Sequence, residues 1–428
     1  MVASKRQDRL FVGADAPLAT ITPSCRLCGE PLRHTFVDLG MSPLCESFLD
    51  ATDLNRMEPF YPLHVRICER CLLVQLEVYV SAQDIFGPNY AYFSAYSESW
   101  VEHARVYVER MMQQLDLSPT SFVVEVASND GYLLQHFERA GIPSLGIEPA
   151  LNVAAAARDR GVETLIEFFD AELASRLVAE YGVADLIVAN NVLAQVPALN
   201  EFVAGIRTLL APTGVATIEV PHLVRLVDQL QFDTIYHEHY SYFSFHTLMT
   251  LFERNDLQVF DVEELASHGG SLRIFVRHPS GAPAPAVAEL LQSERDRNYD
   301  TLSAYEGFAV RVADARWALL EFLIGERRAG KRIVGYGAPG KANTLLNYCG
   351  IRSDLLEYTV DRNPHKHGKF LPGTRIPIHP PERIAETRPD TIVILPWNLE
   401  REIAAQLDYV RGWGGRLLVP IPYPHEVS

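Results

Sequence analysis

The chain has 428 residues, 48% of them apolar, and a formal charge of −16. That length carries two or three domains with sizeable cores. The acidic balance argues against a nucleic-acid binder, which needs a basic footprint. No run of 18 apolar residues occurs, so no membrane-spanning helix is expected.

The opening stretch, Met1 to Arg9, is positively charged but lacks the apolar run of a signal peptide. Next come two Cys-x-x-Cys pairs, Cys25/Cys28 and Cys68/Cys71, separated by 40 residues. Four thiolates in two such pairs suit one tetrahedral zinc ion and leave no coordination position for water. The site therefore reads as structural zinc; the competing reading is two redox-active pairs. Gly29 follows the second thiol, where the backbone must turn tightly. Cys45 and Cys349 are left over, so a disulfide framework is not expected and a cytoplasmic setting is the simplest. Tyr61 to Cys68 alternates like a strand entering the second knuckle.

Residues 99–116 look helical. From Phe122 the pattern becomes α/β. Strands are expected at Phe122 to Val126, Ser144 to Ile147, Glu163 to Leu165, Asp185 to Ala189 and Gly214 to Val220. Helices from about Tyr132, Ala154, Ala171 and Leu199 alternate with them, which means a doubly wound parallel sheet. The stretch 279–288, rich in Pro and Ala, marks a boundary. One long amphipathic helix is expected from Leu290 to Ile324. A smaller α/β domain follows, with strands at Lys331 to Tyr336, Leu356 to Val360, Thr391 to Leu395 and Arg416 to Val419. The expected domains are 1–80 (zinc-binding), 81–278 (cofactor-binding) and 279–428 (smaller α/β).

The turn after the first strand of the central domain, Glu125-Val-Ala127-Ser-Asn129-Asp-Gly131, sits where a doubly wound sheet opens its cofactor crevice. It holds one glycine, so a closely approached pyrophosphate is not expected. Glu148 ends the next strand, where an acid can accept both hydroxyls of a ribose. A single glycine plus that acid suits S-adenosylmethionine better than NAD. Asn190 and Asn191 end the fourth strand and could close over the same ligand. Asx turns or helix caps are the structural alternative for these residues.

Tyr236-His237-Glu238-His239-Tyr240 is the densest chemical cluster. In an extended chain His237 and His239 share one face, opposite Tyr236 and Glu238. A histidine suits the deprotonation of a carbon beside a ketone, and a tyrosine can donate to the enolate oxygen. A metal site on His237 and His239, or an ordinary polar loop, are the alternatives. Further on, Gly335, Gly337, Gly340 and Lys341 form a glycine turn into a helix, suited to an anion. The spacing is not that of a Walker A loop. The bland reading is a turn whose glycines allow tight strand–helix packing.

The cysteine pairs, Glu-Val-Ala-Ser-Asn-Asp-Gly at 125–131, Tyr-His-Glu-His at 236–239 and Gly-Tyr-Gly-Ala-Pro-Gly-Lys-Ala-Asn-Thr at 335–344 occur here in one order. Together they resemble the S-adenosylmethionine-dependent C-methyltransferases that build branched deoxysugars for antibiotics. The resemblance runs from about residue 23 to residue 420. It implies a zinc-binding domain, a methyltransferase domain and a C-terminal α/β domain that helps bind a nucleotide-sugar. It implies a dTDP-4-keto-6-deoxyhexose substrate, often also 2-deoxy, methylated at C3, with C5 the site in some relatives. By the same resemblance His239 is the base, Tyr236 and Glu238 contact substrate, and Tyr90 is an active-site tyrosine. His237 is taken as a further substrate contact, with Gly337, Gly340 and Lys341. The family commonly has a histidine where this chain has Gln195, which can hydrogen-bond but cannot take a proton. An NAD-dependent oxidoreductase and a non-catalytic zinc-containing binding protein are the rival functions. No nucleic-acid or membrane partner is expected, and a monomer is compatible with the sequence.

Overall fold

The computed structural model describes residues 22–87 and 90–427. The stretch Met1 to Arg9 lies outside them. Three sheets organise the chain. The N-terminal sheet is antiparallel, in the order His34–Ser42, Tyr61–Ile67, Val74–Leu76 and Ser241–Tyr242. Its last strand therefore comes from the far side of the central domain, directly after the histidine cluster.

The central sheet has seven strands, in the order Gln258–Leu265, Ser271–Arg277, Leu210–Pro221, Ala184–Asn190, Val123–Val126, Ser144–Ile147 and Thr164–Leu165. The last five are parallel; the first two run antiparallel at one edge. Their sequences are short β-branched runs buried on both faces, as a helix-covered parallel sheet requires. The strand order reverses beside Val123–Val126, whose partners are Ser144–Ile147 and Ala184–Asn190. That reversal opens a crevice at the carboxyl ends of these strands. The C-terminal sheet repeats the design on a smaller scale: Ile378–His379, Thr359–Val360, Ile333–Tyr336, Thr391–Ile394 and Arg416–Val419 are parallel, and His425–Glu426 closes one edge.

The helix expected over 99–116 is Glu98–Gln114, with Ser97 as its N-cap accepting from the Trp100 amide. The long helix expected from Leu290 to Ile324 is two helices, Pro285–Asp296 and Phe308–Arg328. Asn298 (φ +60°) and Gly307 (φ +79°) are left-handed. Between them Tyr299 and Tyr305 are buried edge to face, which a continuous helix could not achieve. The first of the two helices packs back on the central domain through buried Val287. The second packs Phe308 flat against Phe36 of the N-terminal sheet, ring centres 4.5 Å apart. One apolar core thus joins the first and third sheets. Polar ties cross the same junction: Asn343 donates to the Pro43 carbonyl (3.1 Å), and Thr344 to that of Ile235 (2.7 Å). Among the described residues no helix is long and apolar enough to cross a membrane.

Candidate active site and zinc centre

Cys25, Cys28, Cys68 and Cys71 converge, with all four sulfurs within 4.8 Å of one another. The Cys25–Cys71 and Cys28–Cys68 pairs are each 3.5 Å apart. A tetrahedral ion with Zn–S bonds of 2.3 Å sets sulfurs about 3.8 Å apart, so the cage fits zinc. Both knuckles turn through a left-handed residue, Gly29 (φ +80°) in one and Leu72 (φ +59°) in the other. Gln75 Nε2 donates to Cys25 Sγ at 3.2 Å, an outer contact that favours the thiolate. Among the described residues this is the one cluster of three or more ligand side chains able to hold a metal. The alternative metal site on His237 and His239 is not formed.

A cavity of about 1030 Å³ lies where the three sheets meet. Ala127, Asn129, Glu148, Asn190 and Asn191 line one end. Ala127 (φ +58°), Asn129 (φ +50°) and Asn191 (φ +56°) hold left-handed backbone, a strain typical of functional turns. Glu148 accepts the Asn129 amide (3.1 Å) and the Ala150 amide (2.8 Å), which fixes its carboxylate at the cavity wall. Burial pushes its carboxyl up to about 7, against the pull of those two amides. The Oδ1 atoms of Asn190 and Asn191 are enclosed and unpartnered in the protein. A buried acceptor left without a donor is costly. An acid and two spare acceptors fit a nucleoside with ribose hydroxyls and an ammonium group, as in S-adenosylmethionine.

Two residues of the same turn lie elsewhere. Glu125 is 1% exposed and is not a cavity residue. Burial, reinforced by Asp130 and Glu148, holds its carboxyl well above the usual range. Gly131 (φ +76°) serves packing: a Cβ there would lie 3.0 Å from Val162 Cγ2. Its glycine is needed by the protein's own interior, and it does not line the cavity.

Tyr90, Gln195, Tyr236, Glu238 and His239 line the same cavity. The chain is not extended here. The His239 amide donates to the Tyr236 carbonyl at 2.9 Å, closing a turn over His237 and Glu238. The turn breaks the alternation, so Tyr236, Glu238 and His239 share the cavity while His237 leaves it. His237 Nε2 is 3.1 Å from the Pro62 carbonyl and its ring stands edge-on to Tyr61. It anchors the turn to the N-terminal sheet and, unlike the expected substrate contact, does not line the cavity.

His239 Nδ1 lies 3.0 Å from the Thr234 carbonyl. A carbonyl only accepts, so Nδ1 carries the proton and Nε2 keeps its lone pair. Burial pushes the imidazolium down to about 4, leaving a neutral ring. Tyr236 packs against that ring at 4.2 Å between centres. Glu238 accepts from Tyr90 Oη (3.0 Å) and from Cys45 Sγ (3.3 Å). Burial, then the neighbouring Glu46, pushes its carboxyl up to about 7.

Gly337, Gly340 and Lys341 also line the cavity, at the amino end of helix Gly340–Cys349. Gly337 (φ +93°) is needed for fit, since a Cβ would lie 2.5 Å from Pro396 Cδ. Lys341 Nζ donates to Asn398 Oδ1 (2.9 Å) and sits 4.6 Å above the Trp397 ring. Burial draws its ammonium down to about 8, partly offset by Asp233.

Cys45, Glu46, His268 and Lys366 are cavity residues that sequence reasoning passed over. Cys45 carried a faint signal as a cysteine outside the zinc pairs. Glu46, His268 and Lys366 carried none, because only the meeting of three domains brings them together.

The crevice and its turn define an S-adenosylmethionine-dependent methyltransferase, with zinc held in the N-terminal domain. Comparison with known proteins agrees along the chain. A family model for a zinc binding domain matches residues 25–86, one for a methyltransferase domain 101–262, and one for a C-methyltransferase C-terminal domain 266–422. The C-methyltransferase NovU of Streptomyces niveus is 38% identical over 407 residues, 94% of this chain and 96% of its own. The chain belongs to this C-methyltransferase family. Among solved structures, an S-adenosylmethionine-dependent methyltransferase from Clostridium acetobutylicum shares 10% identity over 42% of this chain and 92% of its own, with a TM-score of 0.35. One from Anabaena variabilis shares 12% identity over 48% of this chain and 100% of its own, TM-score 0.35.

Proposed function

We propose that this enzyme methylates carbon C3 of a dTDP-linked 4-keto-6-deoxyhexose, with or without a 2-hydroxyl, through an enolate formed by His239. The observation that carries this reading is that the free Nε2 of His239 and the nucleoside turn at Glu148 belong to one cavity. S-adenosylmethionine, when bound, supplies an electrophilic methyl for a carbon nucleophile. Asn129, Glu148, Asn190 and Asn191 would hold it at the crevice, with Asn190 and Asn191 offering the unpartnered acceptors. His239 Nε2 takes the proton from the carbon beside the ketone. The imidazolium so formed is disfavoured by burial and by Lys341, and the Thr234 carbonyl that accepts from Nδ1 favours it.

Tyr236 donates toward the developing enolate oxygen, while Tyr90, whose one O–H is given to Glu238, holds that carboxyl in the same wall. Gln195 offers an amide N–H and a carbonyl to the sugar without adding a titrating group. Lys341, with Gly337 and Gly340, takes the phosphates of the nucleotide. Regions 1–80, 81–278 and 279–428 act as zinc-bearing, cofactor-binding and nucleotide-sugar-binding units. The setting we assign is cytoplasmic deoxysugar synthesis for an antibiotic.

The test is incubation with labelled cofactor and a panel of dTDP-4-keto-6-deoxyhexoses, followed by NMR of the product. The expected result is a new methyl on C3. A methyl on C5, on oxygen or on nitrogen would overturn the assignment.

A further inference from the structure

Glu46 enters the cavity from the N-terminal region, on the loop after strand His34–Ser42. Its side chain is 13% exposed. Its Oε2 is fully enclosed and has no hydrogen-bond partner in the protein. The nearest cation, Lys366 Nζ, forms an ion pair with it at 3.8 Å, beyond hydrogen-bond length, and donates to the Ala338 carbonyl at 2.8 Å. The neighbours are well matched by contrast. Cys45 and Tyr90 both donate to Glu238 and not to Glu46. The wall opposite is kept bare: a Cβ on Gly340 would stand 3.7 Å from Glu46 Oε1 and 3.1 Å from Cys45 Sγ. A carboxylate that lines the cavity without a hydrogen-bond donor from the protein suits a ligand hydroxyl.

We propose that Glu46 is a specificity-determining residue whose carboxylate accepts, through Oε1, the oxygen that is not enclosed, a hydroxyl of the sugar ring on or beside the reacting carbon. This rests on the nucleotide-sugar reading above. A site that hydrogen-bonds a substrate hydroxyl rejects the analogue lacking it, because the buried acceptor is then left bare. A carboxylate makes that penalty larger than a neutral acceptor would.

The experiment compares kcat/KM for dTDP-4-keto-6-deoxyglucose with its 2-deoxy and 3-deoxy analogues, in the parent protein, Glu46→Gln and Glu46→Ala. S-adenosylhomocysteine affinity, read through the Glu148 turn, confirms that each variant is folded. The parent should prefer the hydroxylated sugar over at least one analogue by on the order of 10²-fold. Glu46→Ala should cut that same ratio about tenfold or more, and Glu46→Gln by less. An equal loss on all sugars would make Glu46 a mere partner of Lys366 and overturn the proposal. So would a parent with no preference. Turnover of none of these sugars by the parent would remove the nucleotide-sugar reading, and this inference with it.

Discussion

The Nδ1 nitrogen of His239 lies 3.0 Å from the backbone carbonyl of Thr234, and this one contact fixes the chemistry of the ring. It selects the tautomer with a lone pair on Nε2 and prevents the ring from flipping. Thr234 ends a short turn, Phe232–Thr234, whose Asp233 is clamped by Trp397 Nε1 at 2.7 Å. The histidine of the central domain is thus oriented by a segment that the C-terminal domain holds in place.

Replacing His239 with Asn should therefore remove the base and leave the nucleoside end untouched. Methyl transfer is expected to fall by on the order of 10²–10⁴. Affinity for S-adenosylhomocysteine, by calorimetry, should stay within about twofold, since Glu148 and Asn129 are unchanged. Transfer at close to the parent rate would rule His239 out as the base.

The zinc cage predicts a stability effect separate from chemistry. Metal analysis should find about one zinc per chain. Cys28→Ser should lower both zinc content and Tm, because binding energy of such a site is folding energy. The knuckle strand Val74–Leu76 pairs with Ser241–Tyr242, so the loosened region adjoins the histidine turn. In the surviving folded fraction, affinity for S-adenosylhomocysteine should match the parent. A variant that keeps its Tm without zinc would contradict a structural role.

Much of this architecture is legible in the residues. Short buried runs such as Val123–Val126 and Ala184–Asn190 alternate with helical patterns, and that alternation admits few answers beyond a parallel sheet. The cysteine pairs are legible because ligand spacing is a local property. The histidine turn is not, since period-two alternation presumes an extended chain and one hydrogen bond between His239 and Tyr236 cancels it. Helical periodicity likewise ran through Arg297 to Gly307, although Gly307 was the available stop signal. Gly131 shows a third limit: a glycine demanded by Val162 looks the same in sequence as one demanded by a ligand. Glu46 and Lys366 come from opposite ends of the chain, so their meeting is a purely tertiary fact.

Glu148 gives the cofactor end a pH dependence. Burial raises its carboxyl to about 7, so near neutrality the free protein holds it partly protonated. A ribose diol donates two hydrogen bonds and favours the carboxylate form. Affinity for S-adenosylhomocysteine should be full above about pH 7 and weaken as the pH falls through that value. Calorimetry from pH 5.5 to 8.5 on the parent and on Glu148→Gln measures this. The variant should bind more weakly above pH 7 and show a flatter profile; a parent profile level across pH 7 would refute the coupling.

Lys341 gives the other end the opposite sign. Burial lowers its ammonium to about 8, so its charge is present below that value and lost as the pH rises through it. A phosphate-bearing ligand needs the charge. KM for the nucleotide-linked sugar should therefore climb above about pH 8 in the parent, while affinity for S-adenosylhomocysteine does not follow. Lys341→Ala should show a KM raised on the order of tenfold at pH 7 and little further change to pH 9. Lys341→Arg should keep its charge across the range and abolish the alkaline rise, even if its bulk beside Trp397 alters the KM at neutral pH. An alanine variant with the parent's KM would take Lys341 out of the phosphate site. An unchanged alkaline rise in both variants would place the titrating group elsewhere in the cavity.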